Sequence, residues 1–348
     1  MPQRERRRRR TPLIAVTFGT ALVVALLCAS GEASGASAPS EDACRTTTTG
    51  MPRGDCGPFR QVFAEDFEGD RVPLGSFADC DHTPDRRTAY CGGLTGEYRA
   101  DWWAYPTGWQ DTAKSGADGN TGRAVGGIYH PEDTVSVGPA GDGDGRMRIR
   151  MWRPSGGGDV HSAAVVPKRA MEQAYGKFSA RIKVTKVAAG YKSAWLHYGG
   201  GCEIDYPEQN WTDTITAFHH PCDRRPQGSF PTGERWTEWH TVSTEWTPGR
   251  VRFFLDGECV GEDTRGVPSR PMSWILQNES ALYGPYAAPG SSAQLDVTWI
   301  TAYAYAGWDG RGLVVPGGRD LGCHVRSGGP GVRAAPAHDC AYEREVSP

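Results

Sequence analysis

The sequence predicts an all-β protein built as a sandwich of two antiparallel sheets. From Gln61 onward, short segments alternate between apolar and polar residues with a period of about two, the pattern of strands with one buried and one exposed face. Gly, Pro, Asp and Asn separate these segments, and no amphipathic helix of any length lies between them. Roughly 250 residues are acceptable for one such sandwich domain. The clearest segments are RMRIRMW (146–152), YGKFSARIKV (175–184), DTITAFHH (213–220), WHTVSTEW (239–246), RVRFFLDG (250–257) and AQLDVTWITAYAY (293–305).

Four regions follow one another along the chain. Residues 1–38 have the pattern of a secretory signal peptide, since a basic run at 4–10 precedes an apolar run at 13–27 and a small-residue cleavage site at 36–38. Residues 39–58 form a polar N-terminal extension, 59–310 form the β-sandwich domain, and 311–348 form a tail rich in Gly, Pro and Arg. The sequence therefore predicts a secreted, extracellular protein.

The charge balance excludes two classes of partner. Lys and Arg number 38 against 41 Asp and Glu, which gives a net charge of −3 and no electrostatic basis for binding nucleic acid or an anionic membrane surface. No second apolar run is long enough to span a bilayer. We expect a monomer whose partner is its substrate.

Ten cysteines in an exported chain predict disulfide bonds. Cysteines close in sequence are expected to pair, and Cys28 leaves with the signal peptide, so Cys259 is expected to be a buried free thiol. Zinc binding is the alternative use of so many cysteines, but no CxxC or His-rich spacing supports it. The expected pairs are Cys44 with Cys56, Cys80 with Cys91, Cys202 with Cys222, and Cys323 with Cys340.

The stretch GCEIDYPEQNWT (201–212) places Glu203, Asp205 and Glu208 within six positions. On a regular strand Glu203 and Asp205 share one face and Glu208 lies on the other. A β-bulge supplies the one extra residue that restores the common facing, and Pro207 fits there because proline within sheets is confined to edges and bulges. The sequence therefore predicts a bulge at residues 206–207 and three carboxylates in one groove.

Such a group of carboxylates suits glycoside chemistry. A retaining glycosidase places two carboxyl groups roughly 5–5.5 Å apart, one as nucleophile and one as general acid/base. A neighbouring carboxylate raises the pKa of the acid and so helps to keep it protonated near neutral pH. Calcium ligation is one alternative, although bound calcium usually needs loop carbonyls and a glycine turn. An inert acidic face is the other.

The segment EIDYPE (203–208) resembles the ExDxxE signature of glycoside hydrolase family 16, in the laminarinase-like branch that carries the bulge. The flanking sequence is also similar to this family. YGKFSARIKV and AGYKSAWLHYGGG precede the motif in the family's order, and EWHTVSTEWTPGRVRFFLDGECV follows it with the family's His, Glu-Trp-Thr and Asp-Gly positions. The resemblance covers about residues 63–305.

The resemblance implies a jelly-roll sandwich with the site on a concave substrate groove. It implies that Glu203 is the nucleophile, Asp205 the assisting carboxylate and Glu208 the acid/base. The expected activity is that of a retaining endo-glycosidase acting on β-1,3- or mixed β-1,3/1,4-glucan. Two alternatives stay open: a non-catalytic, lectin-like carbohydrate-binding module, and a galactan-type hydrolase or transglycosylase of the same family.

Candidate substrate-binding residues are mostly aromatic, because aromatic rings stack on the apolar faces of sugars. Trp195 and Tyr191 stand at family positions near the motif, and Trp103 and Trp109 lie in a loop-like segment, DWWAYPTGWQ (101–110). Two polar residues complete the set: His219, and Gln277 in WILQNESALYG (274–284), a segment that departs from the family pattern.

The case for His219 depends on strand pairing. If residues 209–213 form the turn, antiparallel partners have numbers that sum to about 424, so Cys202 meets Cys222 and Asp205 meets His219. This alignment is subject to a shift from the predicted bulge.

No cofactor or metal is expected. Where the last strand of the family often carries a calcium-binding aspartate, this sequence has Thr298, with Asp296 two residues earlier. A structural calcium ion is therefore doubtful.

Overall fold

The computed structural model of the protein describes residues 50–83, 87–116 and 125–306. Within these residues, segments with alternating side chains form sixteen β-strands. In the segment RMRIRMW, for example, buried and more exposed side chains alternate from Met147 onward, as predicted for a half-buried strand. The strands are β1 (Phe59–Glu65), β2 (Trp102–Ala104), β3 (Gly127–Tyr129), β4 (Val135–Pro139), β5 (Gly145–Trp152), β6 (Val160–Pro167), β7 (Gly176–Lys186), β8 (Tyr191–Gly199), β9 (Cys202–Asn210), β10 (Thr214–His220), β11 (Gly228–Arg235), β12 (His240–Thr247), β13 (Arg250–Leu255), β14 (Glu258–Asp263), β15 (Ser273–Ser280) and β16 (Ser292–Tyr305).

Helical structure in the described residues is short. It consists of α1 (Gly96–Asp101), α2 (Thr112–Ser115), α3 (Pro131–Thr134) and one 3-10 turn (Lys168–Ala170). Within these residues no helix has the length and apolar character needed to cross a membrane.

The strands form two sheets that are antiparallel except where β3 runs parallel to β6. One, the site sheet, has the order β11-β10-β9-β8-β15-β6, with β2 paired to β6. The other, the second sheet, has the order β5-β16-β7-β12-β13-β14, with β1 on β16 and β4 on β5. A single bridge, Trp152 to His161, joins them where β5 meets β6. The predicted all-β jelly-roll sandwich is confirmed.

Aromatic residues fill the space between the two sheets. The Phe178 ring on β7 lies 4.2 Å from the His197 ring on β8, and Trp246 on β12 contacts the other side of that histidine at 6.3 Å, measured between ring centroids. Burial lowers the pKa of His197 to about 3, so the imidazole is neutral in this core. The inward face of the site sheet is therefore a packing surface, and its outward face is left for function.

Two of the predicted disulfide bonds are present in the described residues: Cys80–Cys91 and Cys202–Cys222. The prediction that Cys259 is a free thiol is wrong, because Cys259 is disulfide-bonded, as is Cys56. Proximity along the chain does not determine which cysteines pair, so it could not identify an unpaired one. The signal peptide (1–38), the C-terminal tail (311–348), Cys44, Cys323 and Cys340 lie outside the described residues, and the predictions for them stay predictions.

Removing the Cys202–Cys222 bond is expected to destabilise the protein. Replacing both cysteines with serine should lower the free energy of unfolding by roughly 3 kcal/mol, since the bond closes a loop of about twenty residues in the unfolded chain. Urea unfolding followed by tryptophan fluorescence measures the loss. The Cys80→Ser/Cys91→Ser variant, whose sequence separation is only 11, serves as the control and should lose less. Equal urea midpoints for the wild type and the Cys202/Cys222 variant would contradict the prediction.

Candidate active site

A β-bulge in β9 brings the three carboxylates to one face of the site sheet. On the β8 side, Asp205 pairs with Leu196 and Glu208 pairs with Ala194, so two residues of β9 stand opposite the single residue between them. The β10 side shows the same shift, between the pairs Asp205–Phe218 and Glu208–Thr216. The bulge falls at residues 206–207, as predicted, and it corrects the alternation so that Glu203, Asp205 and Glu208 face the same way.

Burial and like charge shape the electrostatics at the Glu203 end of this face. Burial, together with the Asp205 carboxylate, raises the pKa of Glu203 well above its ordinary value. The Glu208 carboxylate acts in the same direction, and His220 opposes it. His220, the cross-strand partner of Glu203, lies close to both carboxylates, with its Nε2 atom 3.1 Å from Oδ2 of Asp205.

At the other end of the face, Glu208 contacts a lysine. Burial raises the pKa of Glu208, and the Lys192 ammonium opposes that rise. The Lys192 Nζ atom donates a hydrogen bond to Glu208 Oε1 at 2.9 Å and lies 3.2 Å from Oε1 of Glu279. Burial alone would lower the pKa of Lys192, but the two carboxylates raise it well above its ordinary range.

The histidine that lies at this site is His220 and not the predicted His219. His220 pairs with Glu203 and projects to the carboxylate face, whereas His219 pairs with Ile204 and projects to the opposite face. There His219 is buried, with its Nδ1 atom 3.2 Å from Asp263 Oδ2. The prediction that His219 lines the groove is wrong because the bulge shifts the pairing by one residue, and such a slip exchanges the two faces of a strand.

Trp195 and Tyr191 lie on the opposite face of the site sheet, so the prediction that they contact sugar is wrong. Because Ala194 pairs with Glu208, its neighbour Trp195 points into the space between the sheets. The Trp195 ring is fully buried, and its Nε1 atom donates to Asn278 Oδ1 at 3.3 Å. Tyr191 is also fully buried and donates its hydroxyl proton to the Ser291 carbonyl oxygen.

The other three candidates lie on the carboxylate side of the sheet. Trp103 pairs with Val166 at the edge of the sheet, but it is fully buried and offers no surface to a sugar, which corrects its predicted role. Trp109 packs edge-on against Trp103 with part of its surface exposed, and it donates its indole N–H to His82. Gln277 pairs with Ala194 and is largely buried. Sugar contact by Trp109 and Gln277 stays a prediction.

Three residues of this face were not predicted from the sequence: His220, Lys192 and Glu279. A signal for the last two was available, because each is a single charge inside an otherwise uncharged strand, YKSAWLHYG or SWILQNES. Such a charge is rarely buried without a partner. Strand order, which local patterns do not contain, was needed to show that Lys192 stands opposite Glu279.

Two groups in the described residues have metal-ligand geometry. One contains two of the catalytic candidates, Glu203 and Asp205, together with His220, and the other is His130, Asp133 and His161 near α3; in each group the potential ligand atoms lie within 4.8 Å of one another. Asp296, the residue considered for calcium, lies 3.5 Å from the Arg146 guanidinium and accepts a hydrogen bond from Gln294. The expectation that no cofactor is required stays a prediction.

Residues 137–280 of the chain match the family described as glycosyl hydrolases family 16, and the matched segment includes β9 with its bulge and all three carboxylates. This segment of the chain is similar to that family. The match agrees with the resemblance carried by EIDYPE and its flanks, and it supports a glycoside hydrolase.

Solved structures of similar fold include several family members. A glycosyl hydrolase family protein from Mycobacterium fortuitum is 19% identical, with 70% of this chain and 99% of that chain covered and a TM-score of 0.47. LamAcat from Zobellia galactanivorans is 18% identical, with 70% and 97% covered and a TM-score of 0.48. A β-1,3-glucanase from Mycobacterium marinum is 20% identical, with 70% and 98% covered and a TM-score of 0.48. No curated protein sequence matches the chain.

Proposed function

We propose that the protein is a secreted endo-glycosidase that hydrolyses β-1,3- or mixed β-1,3/1,4-glucan with retention of anomeric configuration. The observation that carries the proposal is the bulge, which brings Glu203, Asp205 and Glu208 to one face of the site sheet. At one end of this face His220 contacts Asp205, and at the other end Lys192 contacts Glu208. The match of residues 137–280 to glycosyl hydrolases family 16 supports hydrolysis of glycosides. The choice of glucan depends on the laminarinase-like form of the motif.

In the proposed reaction Glu203 attacks the anomeric carbon while Glu208 donates a proton to the glycosidic oxygen. This step requires that Glu203 be ionised, because only the carboxylate is nucleophilic. The resulting glycosyl-enzyme is hydrolysed by a water molecule from which Glu208, now a carboxylate, removes a proton. His220 and Asp205 hold the nucleophile, and Lys192 holds the acid/base.

Disulfide bonds support the proposed location, because they persist in oxidising compartments. The N-terminal pattern of a signal peptide supports export. The proposal includes a monomer that acts without a cofactor and binds neither nucleic acid nor membranes.

The test is incubation of the mature protein with laminarin, mixed-linkage glucan, agar, carrageenan and galactan. We expect laminarin to be cut internally and to give short oligosaccharides early in the reaction, which chromatography of the products would record. Cleavage of galactose-based polymers alone would overturn the glucan assignment and leave the glycosidase mechanism in place. Binding without any cleavage would favour the lectin-like alternative, for which the three carboxylates have no purpose.

A further inference from the structure

We propose that Lys192 positions the Glu208 carboxyl group, and that Glu279 keeps Lys192 paired while Glu208 gains and loses its proton. The Lys192–Glu279 ion pair then determines over which pH range Glu208 can act as an acid. This inference rests on the proposed role of Glu208 as the acid/base.

The geometry is that of a buried chain of charges. Lys192 on β8 stands directly opposite Glu279 on β15, and both share the face on which Glu208 lies. The side chains of Lys192 and Glu279 are 6% and 1% exposed, whereas that of Glu208 is 18% exposed. Glu208 is thus the member of the chain that substrate can reach.

A contact with the start of α2 holds the Glu279 carboxylate in place on the side away from Lys192's bond to Oε1. The second carboxylate oxygen of Glu279, Oε2, accepts a hydrogen bond at 3.1 Å from the backbone N–H of Thr112, the first residue of α2. Asp111, next to it, is held by the backbone N–H and the hydroxyl of Ser280 through Oδ2. Burial raises the pKa of Asp111, and the charge of Glu279 adds to that rise. Glu279 therefore has little freedom to move away from Lys192.

A buried ammonium needs a carboxylate partner at every stage of the reaction. If Glu208 were the sole partner of Lys192, protonation of Glu208 would leave a buried cation unpaired, and such a charge is strongly unfavourable. Lys192 would then hold Glu208 as a carboxylate and suppress its action as an acid. Because Glu279 remains beside Lys192, the ammonium stays paired when Glu208 becomes neutral, and Glu208 is able to titrate.

The other charged groups that face Glu208 come from two strands. Glu203 and Asp205 on β9 favour the protonated form of Glu208, and His220 on β10 favours the ionised form when it is charged. Among the cations named here, Lys192 is the one in contact with Glu208, at 2.9 Å. Changes at Lys192 and at Glu279 should therefore move the protonation of Glu208 in opposite directions.

The experiment measures the pH dependence of kcat/KM for the wild type and for Lys192→Met, Lys192→Arg and Glu279→Gln. The alkaline limb of this profile reports loss of the proton from the acid in the free enzyme. Lys192→Met removes a cation and should move the alkaline limb to higher pH by about one unit or more. Glu279→Gln leaves Lys192 with Glu208 alone and should move the limb to lower pH. Lys192→Arg keeps the charge and should leave the limb near its wild-type position.

Two further measurements guard the test against variants that misfold. The double variant Lys192→Met/Glu279→Gln removes both buried charges, and its limb should still move to higher pH, since the closer charge is lost. Carbon-13 NMR of labelled glutamate, with Glu208 assigned through Glu208→Gln, follows the same titration without any substrate.

The matched control is another buried pair, Lys177 on β7 and Glu245 on β12, whose Nζ and Oε1 atoms lie 3.1 Å apart in the second sheet. Lys177→Met and Glu245→Gln should leave the limbs in place.

Suppose that the wild type is active. If the alkaline limb then moves in the same direction in Lys192→Met and Glu279→Gln, or moves in neither variant, the inference is wrong and the proposed function stands. Those variants would then have lost only packing. Failure of the wild type to cleave any polysaccharide would overturn the proposed function instead, and the NMR titration would still decide whether the ion pair governs Glu208.

Discussion

Glu203→Gln is expected to lose turnover of every substrate, by roughly 10⁵-fold, the scale on which loss of a nucleophile is felt in enzymes that form covalent intermediates. The amide cannot attack the anomeric carbon, so no glycosyl-enzyme forms. An excellent leaving group does not help, because the missing group is the nucleophile and not the acid. Hydrolysis of laminarin and of an activated aryl glycoside measures the loss.

The control for Glu203→Gln is Glu245→Gln, an equivalent change in the second sheet at a glutamate bound to Lys177 and Arg252. It should keep wild-type turnover, provided that thermal unfolding shows both variants to be folded. Turnover of the aryl glycoside by Glu203→Gln within about tenfold of the wild type, a loss of only about 1.4 kcal/mol of transition-state stabilisation, would remove Glu203 from the role of nucleophile.

Glu208→Ala is expected to separate the two halves of the reaction. Hydrolysis of polysaccharide, whose leaving group needs a proton, should fall by roughly 10²- to 10⁴-fold. An activated aryl glycoside needs little protonation, so it should still form the glycosyl-enzyme and release one equivalent of its phenol in a burst. The reaction should then stall, because no base is left to activate water.

Azide should restart the stalled Glu208→Ala variant, because azide needs no deprotonation, and its product should have retained configuration. Proton NMR of the glycosyl azide identifies the anomer. Azide rescue of Glu203→Gln with a retained product would exchange the roles of the two glutamates, because a retained product requires that a glycosyl-enzyme still form. Inversion by the intact enzyme would overturn the retaining mechanism itself.

The bulge in β9 was predictable from sequence because three local facts require it. Glu203 and Glu208 have opposite parity on a regular strand, their chemistry requires a common face, and Pro207 favours a bulge. The six alternating segments likewise predicted six strands, namely β5, β7, β10, β12, β13 and β16, since the period of side-chain burial is a local property. The fold and the carboxylates of the site were therefore accessible without a structure.

The residues that surround the carboxylates could not be predicted from the sequence, because the position of each residue depends on how separate strands align. A bulge changes the register of every pair beyond it, so His220 and not His219 reaches Asp205. The facing of Trp195 follows from the pairing of Ala194 with Glu208, which the order of strands in the sheet determines. Aromatic character alone does not distinguish a sugar platform from a core residue.

The disulfide bond beside the active site also limits how far the hairpin can open. Cys202 immediately precedes Glu203, and Cys222 lies two positions after His220, so the bond joins the hairpin where it carries the proposed nucleophile and its histidine neighbour. Local opening of the β9–β10 pair from this end would therefore stop at a covalent link, and Glu203 would stay beside His220. Hydrogen exchange at the backbone amides of Glu203 and His220 should be faster in the reduced protein than in the oxidised protein.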